Sequence, residues 1–436
     1  MSELRVGLLG LGTIGTGVAR LLIEQQALMT RRLGKTIRLV AAADCDLERD
    51  RGLDFTGVRL STDALDVVTA DDVDLVIELI GGYEPARTFV TTALENGKHA
   101  VTANKALIAK HGEELFRLAV EKGVAVGFEA AVGGGIPCLK ALREGLAANA
   151  IESVYGILNG TCNFILTKME NEGADYADVL KEAQALGYAE ADPTFDVEGV
   201  DTAHKLSILA AMAFGSKIRF DEVYTEGISR ITAADIESAH ELGYRIKLLG
   251  IAKPHGQQVE MRVHPTLVPL NSQIAQVSNS YNAVQISGDY VEHTMYFGRG
   301  AGERPTASAV VADIMDIARG FPDSIAHLAP PMGFAESSRC DMPTMPMADA
   351  VCEYYIRLMV KDQPGVIASV TSILADHRIS LEALSQKERH VSNNVPIVMM
   401  THATTEGNLQ AAISRITGLD AIEEDVLILR KESDVV

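Results

Sequence analysis

The chain has 436 residues, of which 47% are hydrophobic and 22% are charged, and its formal net charge is −20. At roughly 150 residues per domain, this length predicts about two to four domains. The acidic balance argues against a nucleic-acid partner, because binding to a phosphate backbone needs positive charge. No apolar run reaches the roughly 18 residues of a membrane span. The first residues run into a strand pattern instead of a basic signal sequence, so the expected location is the cytoplasm.

Five cysteines are scattered along the chain, and none belongs to a CxxC pair. An odd number without such pairs predicts neither a disulfide framework nor a zinc site. We therefore expect reduced thiols at Cys45, Cys138, Cys162, Cys340 and Cys352.

A glycine-rich turn follows a strand predicted over residues 4–9 and precedes a helix with apolar spacing from Val18. In that context GxGxxG is typical of a dinucleotide-binding unit, because its glycines permit a tight turn and close approach to a pyrophosphate. The helix N-terminus adds N–H donors and partial positive charge. The predicted cofactor contacts here are Gly10, Gly12, Thr13, Ile14 and Gly15.

Asp44 follows a second strand, predicted over residues 37–43. A carboxylate at this position bonds the adenosine ribose hydroxyls and favours NAD, whereas Arg49 and Arg51 would neutralise the 2′-phosphate of NADP. The cofactor is therefore predicted to be NADP or NAD, with the preference left open. The gap from Gly15 to Asp44 exceeds the usual ~20 residues, because residues 24–35 lengthen the first helix or its loop.

Strand and helix patterns alternate to about residue 130, which predicts a doubly wound parallel sheet. In such sheets ligands bind beyond the carboxyl ends of the strands. Lys105 follows a strand predicted over residues 99–102 and therefore starts at a favoured place for cofactor and substrate. The alternative is a lysine that only caps a helix.

Two further segments are rich in glycine. Residues 133–135 lie near Glu129, and backbone carbonyls with one carboxylate would form an oxygen-lined cation site, although a plain flexible loop also explains them. Residues 298–306 precede a helix predicted over 307–319. Gly302 in that turn is predicted to touch the cofactor phosphate a second time, and a simple turn is the alternative.

An acidic segment covers residues 187–205, with five carboxylates and one lysine. Pro193 ends any preceding helix, and a helix that begins near Gly199 places Asp201 and Lys205 on one face. That arrangement can hold a small zwitterion and move a proton. The alternative is an acidic, solvated loop followed by a surface helix with an ordinary Asp–Lys pair.

Beyond this segment the pattern changes. Residues 151–299 mix strands and helices in an α+β manner, and prolines over residues 321–347 indicate a linker. The tail after the linker predicts a separate βαββαβ domain.

Five motifs occur in a specific order: GLGTIG at 10–15, TANK at 102–105, GGIP at 134–137, GILNGTCNFIL at 156–166, and the segment 187–205. With these motifs the chain resembles the homoserine dehydrogenase family over essentially its whole length, in the bacterial form with a C-terminal ACT domain. The resemblance implies an α/β fold with a Rossmann-type sheet over residues 1–130 and an α+β catalytic and dimerisation domain over 131–300. The resemblance also implies a helix that returns to the cofactor domain over 301–320, a linker over 321–350 and an ACT regulatory domain over 351–436.

The resemblance further implies NAD(P)-dependent interconversion of L-aspartate 4-semialdehyde and L-homoserine in threonine, methionine and isoleucine biosynthesis. Hydride transfer to an aldehyde builds negative charge on oxygen, which an ammonium group can stabilise and then protonate. By the family pattern, Lys205 is the proton donor, and Lys105 lies between cofactor and substrate. The other implied roles are substrate binding by Glu190, Asp201 and Asp196, cofactor contact at Gly187, and a sodium ion held by Glu129, Val132, Gly134 and Ile136.

The ACT domain implies a threonine effector and a homodimer or homotetramer. Two other functions stay open at this point. One is a cofactor-bound amino-acid sensor without catalysis. The other is a different semialdehyde oxidoreductase that uses Cys162, which stands where threonine is common in relatives; an inert buried thiol is the simpler interpretation of that cysteine.

Overall fold

The computed structural model describes residues 3–386 and 394–435 of the chain. The chain folds into two compact units. The first comprises Met1–Val154, His204–Asp221 and Tyr281–Met342, and the second comprises Tyr155–Ala203, Glu222–Ser280 and Pro343–Val436. Within the described ranges, no helix combines the length and apolarity that crossing a bilayer requires.

Strands and helices alternate through the first part of the first unit, as predicted. The elements are β1 (Glu3–Leu9), α1 (Thr13–Glu24), α2 (Gln26–Leu33), β2 (Thr36–Ala43), β3 (Arg59–Ser61), α3 (Leu65–Val68), β4 (Leu75–Glu78), α4 (Ala86–Glu95), β5 (His99–Thr102), α5 (Lys105–Lys122) and β6 (Val126–Gly127). The strands form a six-stranded sheet in the order β3-β2-β1-β4-β5-β6, and their pairings are parallel. Because the strand order winds outward in both directions from β1, the predicted doubly wound sheet is confirmed.

Both faces of this sheet are buried, which explains why its strands read as nearly continuous hydrophobic runs. On one face, Leu8 and Ile77 pack in a cluster with Val18 of α1. On the other face, Leu9 and Val76 pack with residues of α3 and α4. Helices therefore cover both faces, and the carboxyl ends of the strands form the edge where a ligand binds.

The chain then continues through parts of both units. Its elements are α6 (Cys138–Lys140), β7 (Ile151–Ile157), α7 (Gly160–Glu172), α8 (Tyr176–Ala185), α9 (Thr194–Val197), α10 (Val200–Phe214), β8 (Tyr224–Thr225), α11 (Ala233–Glu241), β9 (Tyr244–His255), β10 (Gln258–Pro269), β11 (Tyr281–Gly288), β12 (Glu292–Arg299) and α12 (Glu303–Gly320). In the first unit β11 and β12 pair antiparallel, and α12 packs against α1. Helix α12 begins at Glu303, ahead of the predicted start at 307, because Pro305 is tolerated in a first helical turn.

The tail of the second unit has the predicted βαββαβ order, which is confirmed apart from one additional two-residue strand. The elements are β13 (Val351–Lys361), α13 (Val366–Asp376), β14 (Leu381–Gln386), β15 (Asn394–Thr401), β16 (Thr404–Thr405), α14 (Glu406–Ile416) and β17 (Leu427–Lys431). Strand β17 pairs parallel with β10 and antiparallel with β13, so one sheet runs β9-β10-β17-β13-β15-β14. The last strand therefore joins the tail to the rest of this unit.

The proline-rich stretch that was predicted as a linker packs closely along its course. In the first unit, Cys340 N donates to Gly215 O at 2.8 Å. In the second unit, Val259 N donates to Pro343 O at 3.0 Å and Met345 N donates to Val259 O at 2.9 Å. Sequence without periodicity carries no signal for contacts with distant segments, so these contacts were not predicted.

Candidate active site

The glycine turn after β1 leaves open space at the N-terminus of α1. Gly10 has φ +90°, and a Cβ at Gly15 would lie 1.8 Å from Gly10 O, so these two backbones touch. Gly12 precedes α1, and a Cβ there would meet nothing within 4 Å. Thr13 and Ile14 form the first turn of α1, whose N–H groups have no helical partners. The open helix N-terminus leaves room for a pyrophosphate, and the individual cofactor contacts stay predictions.

Asp44 is tied to the glycine turn by hydrogen bonds. Its carboxylate accepts from Leu11 N and, at 2.9 Å, from Asp46 N, and Arg51 Nη2 lies 3.3 Å from Asp44 Oδ1. Burial opposes ionisation, but the bonds from Asp46 and Leu11 and the charge of Arg51 hold the pKa of Asp44 below its usual range. The carboxylate that favours NAD and the cation that suits NADP therefore lie side by side at the turn.

Glu78 organises the loop after β4, and sequence reasoning missed it. The fully buried carboxylate accepts from Ile80 N at 2.8 Å, Gly81 N at 2.9 Å and the Thr102 hydroxyl at 2.6 Å. Thr102 Oγ1 in turn accepts from Asn104 N at 2.9 Å. One acid thus fixes two neighbouring loops at the carboxyl edge of the sheet. The feature of the sequence that could have indicated Glu78 is an acidic residue at the end of an otherwise apolar strand.

Lys105 is the first residue of α5, and Asn104 is the cap. Asn104 Oδ1 accepts from Leu107 N at 3.1 Å, and Asn104 Nδ2 donates to Gly82 O at 2.6 Å. A lysine that caps a helix belongs at its C-terminus, where the dipole attracts cations, so the capping alternative for Lys105 is wrong. The Lys105 side chain is half-buried, and its positive charge lies at the helix end where the dipole is also positive.

Glu129 begins the loop that was predicted to hold a cation. Its Oε1 accepts from Leu139 N at 3.1 Å, whereas its Oε2 is buried with no hydrogen-bond partner among the described residues. Burial, together with the nearby Asp313 carboxylate, raises the pKa of Glu129 to about 8. A buried carboxylate oxygen without a partner is costly, and a bound cation would satisfy it.

The backbone after Glu129 is compatible with a cation site. Gly134 has φ +54°, and a Cβ there would lie 2.4 Å from Gly300 O. Ile136 N donates to Gly133 O at 2.9 Å, which closes a turn that contains Gly134 and follows Val132. Carbonyl oxygens and one carboxylate are the ligands that hard cations prefer. The residues present therefore fit a sodium ion.

In the second unit, the predicted substrate carboxylates Asp196 and Asp201 share one partner. Asn159 Nδ2 donates to Asp196 Oδ1 at 2.8 Å and to Asp201 Oδ2 at 2.9 Å. Asn159 also caps α7 by accepting from Cys162 N at 2.8 Å. Glu190, by contrast, is exposed. Asn159 was part of a recognised motif, but the sequence did not show which residues it joins.

Lys205 lies in α10, one turn after Asp201, as the spacing predicted. Both side chains are buried, and α10 itself is buried over most of its length, so the alternative of a surface helix is wrong. His204 stacks on Phe220 with ring centroids 3.8 Å apart. Burial and the charge of Glu129 raise the pKa of the Cys138 thiol, and the charge of Lys205 opposes that rise.

Three remaining predicted residues lie in separate places. Gly187 has φ +75° and follows α8, and Gly302 has φ +112° and precedes α12; both conformations favour glycine, and both cofactor contacts stay predictions. Cys162 is fully buried, and its Sγ donates to Asp196 O at 3.2 Å. That environment is typical of a structural thiol and lacks the exposure of a reactive one.

A doubly wound sheet whose glycine turn opens at a helix N-terminus, with a lysine at the ligand-binding edge, defines a dinucleotide-dependent oxidoreductase. Sequence comparison matches residues 10–129 to "Homoserine dehydrogenase, NAD binding domain", residues 137–315 to "Homoserine dehydrogenase" and residues 354–421 to "ACT domain". The chain belongs to the homoserine dehydrogenase family, and the resemblance seen in its motifs is confirmed.

Two relatives match this chain over essentially its full length, and a third matches about three quarters of it. The homoserine dehydrogenase of Neisseria gonorrhoeae is 48% identical over 433 residues, covering 99% of each chain. The crystal structure of one from Thiobacillus denitrificans is 52% identical with a TM-score of 0.94 and covers 100% of this chain and 99% of that chain. A hyperthermophilic archaeal homoserine dehydrogenase, solved in complex with NADPH, is 26% identical with a TM-score of 0.63 and covers 73% of this chain and 99% of that chain.

The activity follows from the family. The protein is an NAD(P)-dependent oxidoreductase that interconverts L-aspartate 4-semialdehyde and L-homoserine, in the biosynthesis of threonine, methionine and isoleucine. The catalytically silent sensor and the cysteine-dependent oxidoreductase, which the sequence left open, are not needed to explain the chain.

Proposed function

We propose that Lys205 is the proton donor of the reaction and that Lys105 lies between cofactor and substrate. The observation that carries this proposal is where the fold holds the two ammonium groups. Lys205 is only 9% exposed, and Lys105 opposes the dipole at the N-terminus of α5. Ionisable side chains that a fold holds at electrostatically unfavourable places are candidates for a functional site.

When bound, the nicotinamide cofactor would provide the hydride that the aldehyde carbon of aspartate 4-semialdehyde accepts in the reductive direction. Negative charge then develops on the carbonyl oxygen, and the Lys205 ammonium stabilises that charge and transfers its proton to the oxygen. In the oxidative direction the neutral Lys205 amine accepts the hydroxyl proton of homoserine. Lys105 adds a second positive charge at the sheet edge.

The proposed substrate contacts are carboxylates. Glu190 and Asp201 pair with the α-ammonium group of the amino acid and orient its reacting carbon. Asn159 bonds both Asp196 and Asp201, so we assign Asp196 the role of fixing, through Asn159, the direction of the Asp201 carboxylate. The negative charge of the segment 187–205 is thus complementary to the positively charged amino group of the substrate.

For the cofactor we propose contacts at Gly10, Gly12, Thr13, Ile14, Gly15, Asp44, Lys105, Gly187 and Gly302. The open N-terminus of α1 supports pyrophosphate binding. The proposed cofactor is NADP or NAD, because the Asp44 carboxylate favours NAD and the neighbouring Arg51 guanidinium favours NADP. The NADPH complex of the archaeal relative supports the first of the two.

The test is one titration. Purified protein with aspartate 4-semialdehyde is expected to oxidise NADH, NADPH or both, read as loss of nicotinamide absorbance, and the two kcat/KM values establish the preference. Addition of L-threonine is expected to change the rate of cofactor oxidation or the melting temperature of the protein. Absence of turnover with both cofactors would contradict the proposed site, and no response to threonine would remove it as the effector.

We also propose a sodium ion at Glu129, Val132, Gly134 and Ile136. In the wild type, NaCl is expected to raise the melting temperature above that in choline chloride of equal ionic strength, because only sodium satisfies Glu129 Oε2. The Glu129→Gln variant, which keeps the acceptor for Leu139 N, is expected to lose that difference. Differential scanning fluorimetry measures this difference in melting temperature between the two salts. Each kcal/mol of sodium-binding free energy corresponds to roughly 2–4 °C.

The control for the sodium experiment is Glu121→Gln, which removes an exposed acid from the end of α5. It should keep the sodium response in full. An equal response in wild type and Glu129→Gln would contradict the site.

The assembly is proposed as a homodimer or homotetramer, with threonine as an effector at the ACT domain, and the proposed location is the cytoplasm. The domain boundaries at residues 130, 300, 320 and 350 stay predictions. Sedimentation equilibrium of the full chain determines the subunit number.

A further inference from the structure

A cavity of about 400 Å³ lies in the first unit, beside the edge strand β6. Its walls are the end of α5, β6, α12 and residues 325–336, which follow α12. Most of the lining is apolar, including Val126, Ile317 and Leu328. Small-molecule sites typically enclose roughly 300–1,000 Å³ of mostly apolar surface with a few polar groups. None of the residues proposed for catalysis or substrate binding lines this cavity.

One lining side chain is a buried cation with unused donors. The Arg143 side chain is 10% exposed, and its closest carboxylate among the described residues is Glu144, with Nη2 to Oε1 at 3.8 Å. That separation is too long for a hydrogen bond. A guanidinium has five N–H donors, and in the described part of the chain none of those of Arg143 bonds to protein. Arg143 is one of the residues that line the cavity.

The carboxylates of the cavity are already engaged or lie at its rim. Asp313 accepts from Glu129 N at 2.8 Å, and Asp316 pairs with Lys140 and Arg319. Glu144 and Glu336 have side chains that are 46% and 65% exposed. The charge of Arg143 opposes the burial-induced rise in the pKa of Asp313 and Glu129, while its N–H donors stay available inside the cavity, and the rim is negative.

We propose that this cavity binds an aliphatic monocarboxylate, with its carboxylate on the Arg143 guanidinium and its hydrocarbon against the apolar wall. A planar guanidinium matches a carboxylate in a bidentate, charge-assisted pair. The acidic rim disfavours polyanions such as nucleotides. The same chemistry suits a simple branched acid and an apolar amino acid, whose ammonium group would reach the rim carboxylates.

The experiment is isothermal titration calorimetry on the full chain with 4-methylpentanoate as probe. The alcohol 4-methylpentan-1-ol has the same hydrocarbon without the charge and is expected to bind at least about tenfold more weakly. L-leucine distinguishes the two sources: tighter binding than 4-methylpentanoate assigns the site to amino acids, and weaker binding assigns it to acids without an amine.

Two variants and one control test the role of Arg143. Arg143→Met keeps the volume of the side chain and is expected to weaken 4-methylpentanoate at least about tenfold. Ala329→Leu narrows the cavity with Arg143 intact and is also expected to weaken the binding of 4-methylpentanoate. This second variant keeps the test decisive if circular dichroism shows that Arg143→Met does not fold. Arg117→Met removes an exposed arginine of α5 and should leave binding unchanged.

Three outcomes would overturn the proposal: no heat of binding at 10 mM probe, equal affinity for acid and alcohol, or unchanged affinity in Arg143→Met or in Ala329→Leu. Because the readout is binding and not turnover, these results leave the proposed catalytic site untouched.

Discussion

Lys205→Ala is expected to lose kcat by about 10²–10⁴-fold while the reduced cofactor still binds. Removing a general acid leaves the developing oxyanion without a proton source, whereas the proposed cofactor contacts lie on other elements, at the turn before α1 and at the start of α5. The loss should appear in kcat and in kcat/KM alike, because the interaction forms in the transition state. Steady-state kinetics and cofactor titration by fluorescence measure both quantities.

Lys205→Arg separates proton donation from charge. Arginine keeps the positive charge but does not release its proton near neutral pH, so this variant should stay inactive if Lys205 is the acid. Recovery of turnover would show that charge alone is needed. Lys181→Ala, at an exposed lysine of α8, is the matched control and should keep full activity. Normal turnover in Lys205→Ala would remove this residue from the mechanism.

Arg430→Met is expected to lower the free energy of unfolding by about 3–5 kcal/mol. Arg430 lies on β17 with a side chain that is 1% exposed, and its nitrogens bond Glu406 at 2.7 and 2.8 Å and Glu226 at 2.6 Å. The Glu406 side chain is itself 4% exposed. Without Arg430, a buried carboxylate keeps the cost of desolvation but loses the charge that offsets it.

The deficit of Arg430→Met should depend on pH. In the wild type, burial opposes ionisation, but hydrogen bonds and charge from Arg430 hold the pKa of Glu406 below its usual range. That contribution is present above the unfolded pKa of glutamate and is lost as pH falls through the lower folded pKa. In the variant, burial still raises the pKa of Glu406 while the charge and hydrogen bonds of Arg430 no longer lower it, so stability is lost as pH rises. The deficit should therefore be larger at pH 8 than at pH 5.

Urea unfolding at both pH values measures this difference. The double variant Arg430→Met with Glu406→Gln removes the unpaired charge and should recover part of the stability, with a smaller pH dependence. Equal stability of Arg430→Met and wild type would mean that the network around β17 contributes nothing. A deficit that is the same at both pH values would mean that Glu406 is not the group left unpaired.

Local features of the sequence were sufficient for much of the fold. Apolar runs with glycine turns predicted the strands and helices of the parallel sheet, and β5 has the predicted ends. Helix α10 begins one residue after Gly199, where the segment 187–205 placed it. These elements depend on periodicity and turn chemistry, which act over a few residues and are written directly in the chain.

Roles of individual residues came instead from the family resemblance. Spacing alone left the segment 187–205 divided between a binding loop and a solvated loop, and the motif order favoured binding. Burial of α10 then agreed, because a surface helix would expose one face to water.

Only the tertiary structure showed which distant groups meet. Glu78 bonds two loops, Asn159 joins Asp196 to Asp201, and Arg143 faces a cavity with donors unused. Strand β17 inserts between β10 and β13, which no local pattern predicted. Most of these partners are separated by tens to hundreds of residues, and their pairing depends on burial and on the satisfaction of polar groups across the whole fold. Periodicity determines what an element is, and packing determines what it touches.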